Sequence, residues 1–147
     1  GQIRHSLNRP INRISPMTLD VRTEQQTEFL PITDRVQRAV SETGISNGVC
    51  HLFVPHTTAA VTINENADQM VIHDVLQVVN KIIPFEDSNY RHMEGNSAAH
   101  VKACFFGNSE TVFVQDRQLV LGTWQGIFFC EFDGPRNRQL YVKTLEG

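Results

Sequence analysis

The sequence predicts an α+β domain of about eight strands, largely antiparallel, with two flanking helices. Three observations lead to this class. Two stretches carry apolar residues at helical spacing. Short apolar runs bounded by turn residues recur through the rest of the chain. The last of these runs follow one another with no helix between them, which makes them antiparallel neighbours. So few helices cannot cover both faces of that many strands. A β-sandwich, a subunit interface, or both is therefore expected.

The elements follow in order. Residues 1–12 are polar and read as an N-terminal arm; residues 13–147 read as a single domain. Met17 to Arg22 suits a strand. Thr33 opens a helix as its N-cap, with Val36, Ala39 and Val40 on one face and Gly44 just past its end. Gly48 to Val54 reads as a buried strand interrupted by Pro55, and Ala59 to Ile63 as the next strand. The polar cluster Asn64-Glu65-Asn66-Ala67-Asp68 leads into a second helix, with Asn66 as N-cap and Asp68 as a first-turn acid. Val71, Val75, Val78, Val79 and Ile82 share its apolar face, and Pro84 stops it. Residues 85–99 are polar and aperiodic, the kind of long loop that carries function in a compact domain. Strands are then expected at His100 to Phe106, Glu110 to Val114, Leu119 to Leu121, Gln125 to Phe132 and Gln139 to Thr144. Turns fall at Asn108, Asp116-Arg117 and Gly134-Pro135. Phe128, Phe129, Cys130 and Phe132 make the penultimate strand apolar on both faces, so it should be central.

Composition narrows the function classes. The chain has 147 residues, a net charge of −3 and 40% hydrophobic residues. It is long enough to fold without a disulfide or metal staple. The acidic balance argues against a nucleic-acid partner, although Arg136-Asn137-Arg138 could hold one phosphate group. No stretch is long and apolar enough to span a membrane. The three cysteines, Cys50, Cys104 and Cys130, lie in apolar runs without a CxxC pair. They read as buried reduced thiols, and the expected location is the cytoplasm.

Of the six histidines, His5 lies in the arm, His73 on the polar face of the second helix and His51 within a strand. His56, His92 and His100 remain. His56 ends a strand, and a loop containing glycine and asparagine separates His92 from His100. Three neutral imidazoles suffice for a zinc-type divalent ion with an open position, and a divalent metal, zinc-like or magnesium, is the expected cofactor; surface or capping histidines are the other reading. Glu65 could act as a general base, and Glu94 as a ligand or turn former. Gly122 and Gly126 bracket Trp124 and Gln125, allowing close backbone approach. Asp133 and Arg136 could present a carboxylate and a guanidinium together, the latter suited to phosphate; an ordinary turn with an internal salt bridge is the alternative.

Taken in order, these segments resemble the YjbQ-like family. They are His56-Thr57-Thr58-Ala59-Ala60, Ile63-Asn64-Glu65-Asn66-Ala67-Asp68, His92-Met93-Glu94-Gly95-Asn96, Ala99-His100, Leu121-Gly122-Thr123-Trp124-Gln125-Gly126-Ile127 and Glu131-Phe132-Asp133-Gly134-Pro135-Arg136. The resemblance runs from about Met17 to the C-terminus. One departure is the turn Gln115-Asp116-Arg117-Gln118, where the family usually has a glycine; a changed hairpin is expected there.

The resemblance implies a β-sandwich with flanking helices that assembles as a homotrimer. It also implies a cleft holding a divalent metal or an anion, and a weak, secondary thiamine-phosphate synthase activity. That reaction joins a pyrimidine diphosphate to a thiazole phosphate. In this reading His56, His92 and His100 hold the metal, and Glu65, Asp133 and Arg136 serve catalysis. Asn64, Asn66, Asn96, Trp124 and Gln125 contact a small phosphorylated or anionic ligand. A non-enzymatic trimeric module binding a metal or small anion, or a metal-assisted hydrolase, is the competing expectation.

Overall fold

A computed structural model describes residues 16–147. The expected arm lies outside the described residues. In chain order the elements are β1 (Met17–Arg22), β2 (Glu28–Pro31), α1 (Thr33–Thr43), β3 (Gly48–Phe53), β4 (Ala59–Glu65), α2 (Gln69–Ile82), α3 (Ser97–Phe106), β5 (Ser109–Gln115), β6 (Gln118–Leu119), β7 (Gln125–Glu131) and β8 (Asn137–Glu146). They form two antiparallel sheets, ordered β1-β8-β3-β5-β6 and β2-β7-β4. The α+β class holds, with three helices among the described residues rather than two.

Side chains of both sheets meet in one buried cluster. Leu52, Val112, Leu140 and Val142 come from the larger sheet, and Val61, Ile127 and Phe129 from the smaller. Val36, Ala39 and Val40 of α1 close this core, as their spacing foretold. β7 is buried along nearly its whole length because its other face is covered as well. There Phe128, Cys130 and Phe132 pack with Ala60, Ala99, Ala103 and Phe106. Phe29 meets Phe106 edge-on at 5.4 Å between ring centres. Burying such side chains contributes about 1.5–3 kcal/mol each relative to exposure.

Several local expectations need correction. His100 to Phe106 is not a strand but most of α3, whose residues Ala99, Ala103 and Phe106 face the small sheet. As a result Cys104 is exposed, while Cys50 and Cys130 are buried as expected. β2 was not foreseen. α1 is preceded by Ile32 at the capping position without a side-chain cap, and Thr33 instead accepts a hydrogen bond at Oγ1 from the N–H of Ile127 at 2.9 Å. Asp68, not Asn66, caps α2, accepting from the N–H of Met70 at 2.9 Å. The segment expected as Leu119 to Leu121 is the two-residue β6. Asp116 and Arg117 form its hairpin turn with φ of 51° and 68°. Two consecutive positive φ values suit a tight hairpin connection; aspartate tolerates the first, while Arg117 holds a conformation that glycine adopts more readily. Gly44, with φ of 71°, ends α1 in the left-handed conformation. No helix among the described residues is long and apolar enough to cross a membrane.

Candidate functional site

The folding of three segments against the end of β7 creates an open cleft of about 900 Å³. The first segment is Pro55-His56-Thr57-Thr58, the link from β3 to β4. The second is the loop before α3 with the first turn of that helix. The third is the turn between β7 and β8. His56, His92, Asn96, His100, Asp133 and Arg136 all line the cleft, with Glu94, Asn108 and Arg138.

The floor is a buried ion pair. Glu131 is 0% exposed and Arg138 3%. Arg138 donates from Nε to Glu131 Oε1 at 2.8 Å, and its Nη2 donates to Glu131 Oε2 and to Thr58 Oγ1. Thr23 Oγ1 donates to the same carboxylate at 2.7 Å, and the N–H of Asp133 does so at 3.0 Å. Burial pushes the Glu131 carboxyl up, but these hydrogen bonds and the guanidinium charge outweigh it and leave the group below its ordinary 4.5. The carboxylate thus sets the backbone of the turn above it. Thr23 Oγ1 also accepts from the N–H of Arg136 at 2.9 Å. Gly134 sits where a Cβ would lie 2.3 Å from the carbonyl oxygen of Gln25, so only glycine allows the approach.

On this base Arg136 folds back onto Asp133, donating from Nε to the Asp133 carbonyl at 2.9 Å and from Nη2 to Oδ2 at 3.0 Å. Asn96 Nδ2 donates to the same Oδ2 at 2.9 Å, which ties the α3 segment to the turn. Asn96 Oδ1 is buried and has no hydrogen-bond partner among the described residues.

His100 stands in the first turns of α3. His92 is brought to it by a loop that turns at Gly95, with φ of 76°. Their rings lie 5.1 Å apart, edge to face. His92 Nε2 is 3.8 Å from Glu94 Oε2, a loose contact between exposed groups. His56 is held differently: its Nε2 accepts the backbone N–H of Gln139 at 2.9 Å. Burial, followed by the nearby Arg138 charge, keeps this imidazole below its ordinary value of 6.5.

The other expected site residues lie elsewhere. Asn64 and Glu65 end β4, opposite Gly126 and Gln125 of β7. Six residues of strand separate Glu65 from the cleft end of β4, about 20 Å at ~3.4 Å per residue. Asn66 donates its N–H to the Trp124 carbonyl at 2.8 Å. Glu65 and Asn66 line a separate pocket of about 240 Å³ with Phe29, Asp68 and Ile72. Trp124 is 63% exposed. Gln125 braces its own turn, accepting at Oε1 from the N–H of Gly122 at 2.8 Å. Within one chain these five residues do not join the histidines. His51 and His73 are exposed, bonded to Thr111 and Asp74. Sequence reasoning missed Thr23, Thr58 and Glu131. The available signal was one acid inside the apolar run Phe128 to Phe132, a charge that must find a buried partner.

A divalent metal on His56, His92 and His100 does not fit this arrangement. Among the described residues no group of three or more His, Cys, Asp or Glu side chains could hold a metal ion. The lone pair of His56 Nε2 is engaged by Gln139, and in the neutral ring the proton then sits on Nδ1. Neither nitrogen is left to ligate.

The family model described as "UPF0047 protein YjbQ-like" matches residues 17–147. The chain belongs to this YjbQ-like family. The YugU protein of Bacillus subtilis is 48% identical over 128 residues, covering 87% of this chain and 97% of that one. A UPF0047 protein of Methanocaldococcus jannaschii is 46% identical, covering 85% of this chain and 90% of its own length. Among solved structures, a YjbQ/UPF0047 protein of Clostridium acetobutylicum superposes with a TM-score of 0.85 at 46% identity, covering 88% of this chain and 99% of that one. A protein of Sulfolobus solfataricus, described as of unknown function, gives 0.84 at 36% identity, covering 89% and 96%. These findings correct the expected activity. The relatives just described are named as uncharacterised UPF0047 or YjbQ-like proteins, one of them explicitly of unknown function, and none of these names gives a thiamine-phosphate synthase. The thiamine-phosphate synthase expectation is therefore withdrawn.

Proposed function

We propose that the cleft of this YjbQ-like chain binds a small phosphorylated or otherwise anionic compound that also carries a hydroxyl or amine. The observation that carries this reading is the pairing of free donors with one orphaned acceptor. Arg136 spends Nε and one Nη2 hydrogen on Asp133, so its remaining N–H groups are available to an oxyanion. His56 offers a neutral Nδ1–H, and Thr57 adds a hydroxyl on the same wall. Asn96 Oδ1 is a buried acceptor awaiting a donor; a ligand hydroxyl or amine would satisfy it.

The assembly belongs to the same proposal. The two sheets are read as a β-sandwich, and the protein as a homotrimer. Exposed Met70, Val78 and Ile82 on α2, a helix with no fully buried residue, support a subunit contact. The proposed setting is the cytoplasm.

The test is calorimetric titration with inorganic phosphate and with a sugar phosphate, on wild type and Arg136→Gln. Hydrogen bonds to charged groups contribute about 1.5–3 kcal/mol, so the variant should bind roughly tenfold or more weakly. Equal heats for the two proteins would contradict the reading. A mass in solution at micromolar concentration checks the trimer, and a monomer would contradict it.

A further inference from the structure

A third pocket, of about 510 Å³, opens between α2, α3 and the loop from β1 to β2. It shares no lining residue with the histidine cleft. Its wall contains Lys102, which is only 5% exposed. The ammonium donates to Asn80 Oδ1 at 2.7 Å, a neutral partner. None of the ion pairs among the described residues involves Lys102. A buried charge without a countercharge is costly, and such groups are normally paired. Burial pushes the Lys102 amine down from its ordinary value, the direction expected of a cation lacking an anion. The remaining walls are suited to an oxyanion: the amides of Gln25 and Gln26 and the hydroxyl of Thr27, beside the apolar Phe85.

We propose that the Lys102 pocket is a second ligand site, taking a small oxyanion whose charge pairs with the buried ammonium. One N–H of the ammonium stays on Asn80 and the other two are available to the ligand. The polar loop residues solvate the bound oxygens. Carboxylate and phosphate share this chemistry, so both are used as probes.

The experiment follows the Lys102 side chain by 13C NMR through a pH titration, at constant ionic strength, with sodium acetate, inorganic phosphate or chloride alone. Acetate or phosphate is expected to raise the Lys102 midpoint by about one pH unit or more, as a close opposite charge does. A rise with acetate alone assigns a carboxylate site, and one with phosphate a phosphate site. Asn80→Asp supplies a fixed carboxylate; its midpoint should start high and respond to neither probe. Arg136→Gln should keep the full response, which separates this site from the cleft. A wild-type midpoint unmoved by both probes overturns the proposal. So does an Asn80→Asp midpoint that still moves.

Discussion

The backbone N–H of Gln139 donates to Nε2 of His56 across 2.9 Å. This contact fixes the ring as the Nδ1–H tautomer and turns an expected metal ligand into a neutral donor. Long-range 1H–15N spectra should show His56 with a protonated Nδ1. Its midpoint should lie below 6.5, because burial and then the Arg138 charge oppose the cation. Between the lowered folded value and 6.5 the unfolded chain binds more protons. His56 therefore costs stability as pH falls through that window and costs none above it. An Nε2–H tautomer would contradict this assignment.

Glu131→Gln should destabilise the protein by ~3–5 kcal/mol in urea unfolding at neutral pH, because it leaves the buried Arg138 without its countercharge. The wild-type carboxylate titrates below its ordinary 4.5. Its stabilisation is therefore complete above that value and lost as pH falls through the folded value. The variant should lack this acid-side loss. A cost of less than about 1 kcal/mol, as for a surface pair, would contradict the role given to Glu131.

Gly134→Ala should cost about 1–3 kcal/mol by overpacking, since its Cβ would meet the Gln25 carbonyl at 2.3 Å and Glu131 Cγ at 2.8 Å. The same change should disturb the Asp133–Arg136 turn. Thermal unfolding and the Arg136 Nε–H resonance check both effects. Unchanged values for the pair would show that the turn relaxes freely.

What the sequence reveals depends on how local the determinant is. α1 was legible because Val36, Ala39 and Val40 fall on one face and Gly44 follows them. β7 was legible because its apolar run is rich in phenylalanine, is bounded by the turns at Gly122 and Gly134-Pro135, and stands among strands with no helix between them. α3 was not, because Val101, Cys104 and Phe105 obscure the inward set Ala99, Ala103 and Phe106 and mimic a buried strand. β2 is four residues long and ends in Pro31, which suits an edge strand and leaves almost no periodic signal. The site divides in the same way. His92, Asn96 and His100 are close in sequence and meet in space. His56 and Arg136 join them through the meeting of distant strands, which the ordered motifs signalled. Glu65 and Trp124 carry equally dense polar signals but sit at the far end of β4 and β7, a separation that only strand direction reveals.

The central claim is that one cleft collects the histidines, Asn96 and Arg136 around an anion. The most direct measurement is a titration with inorganic phosphate, followed through the imidazole 15N and arginine Nε–H resonances. Saturable shifts are expected at His56, His92, His100 and Arg136, with none at His51 or His73. Shifts at His51 and His73 equal to those in the cleft, or no saturable shift at Arg136, would contradict it.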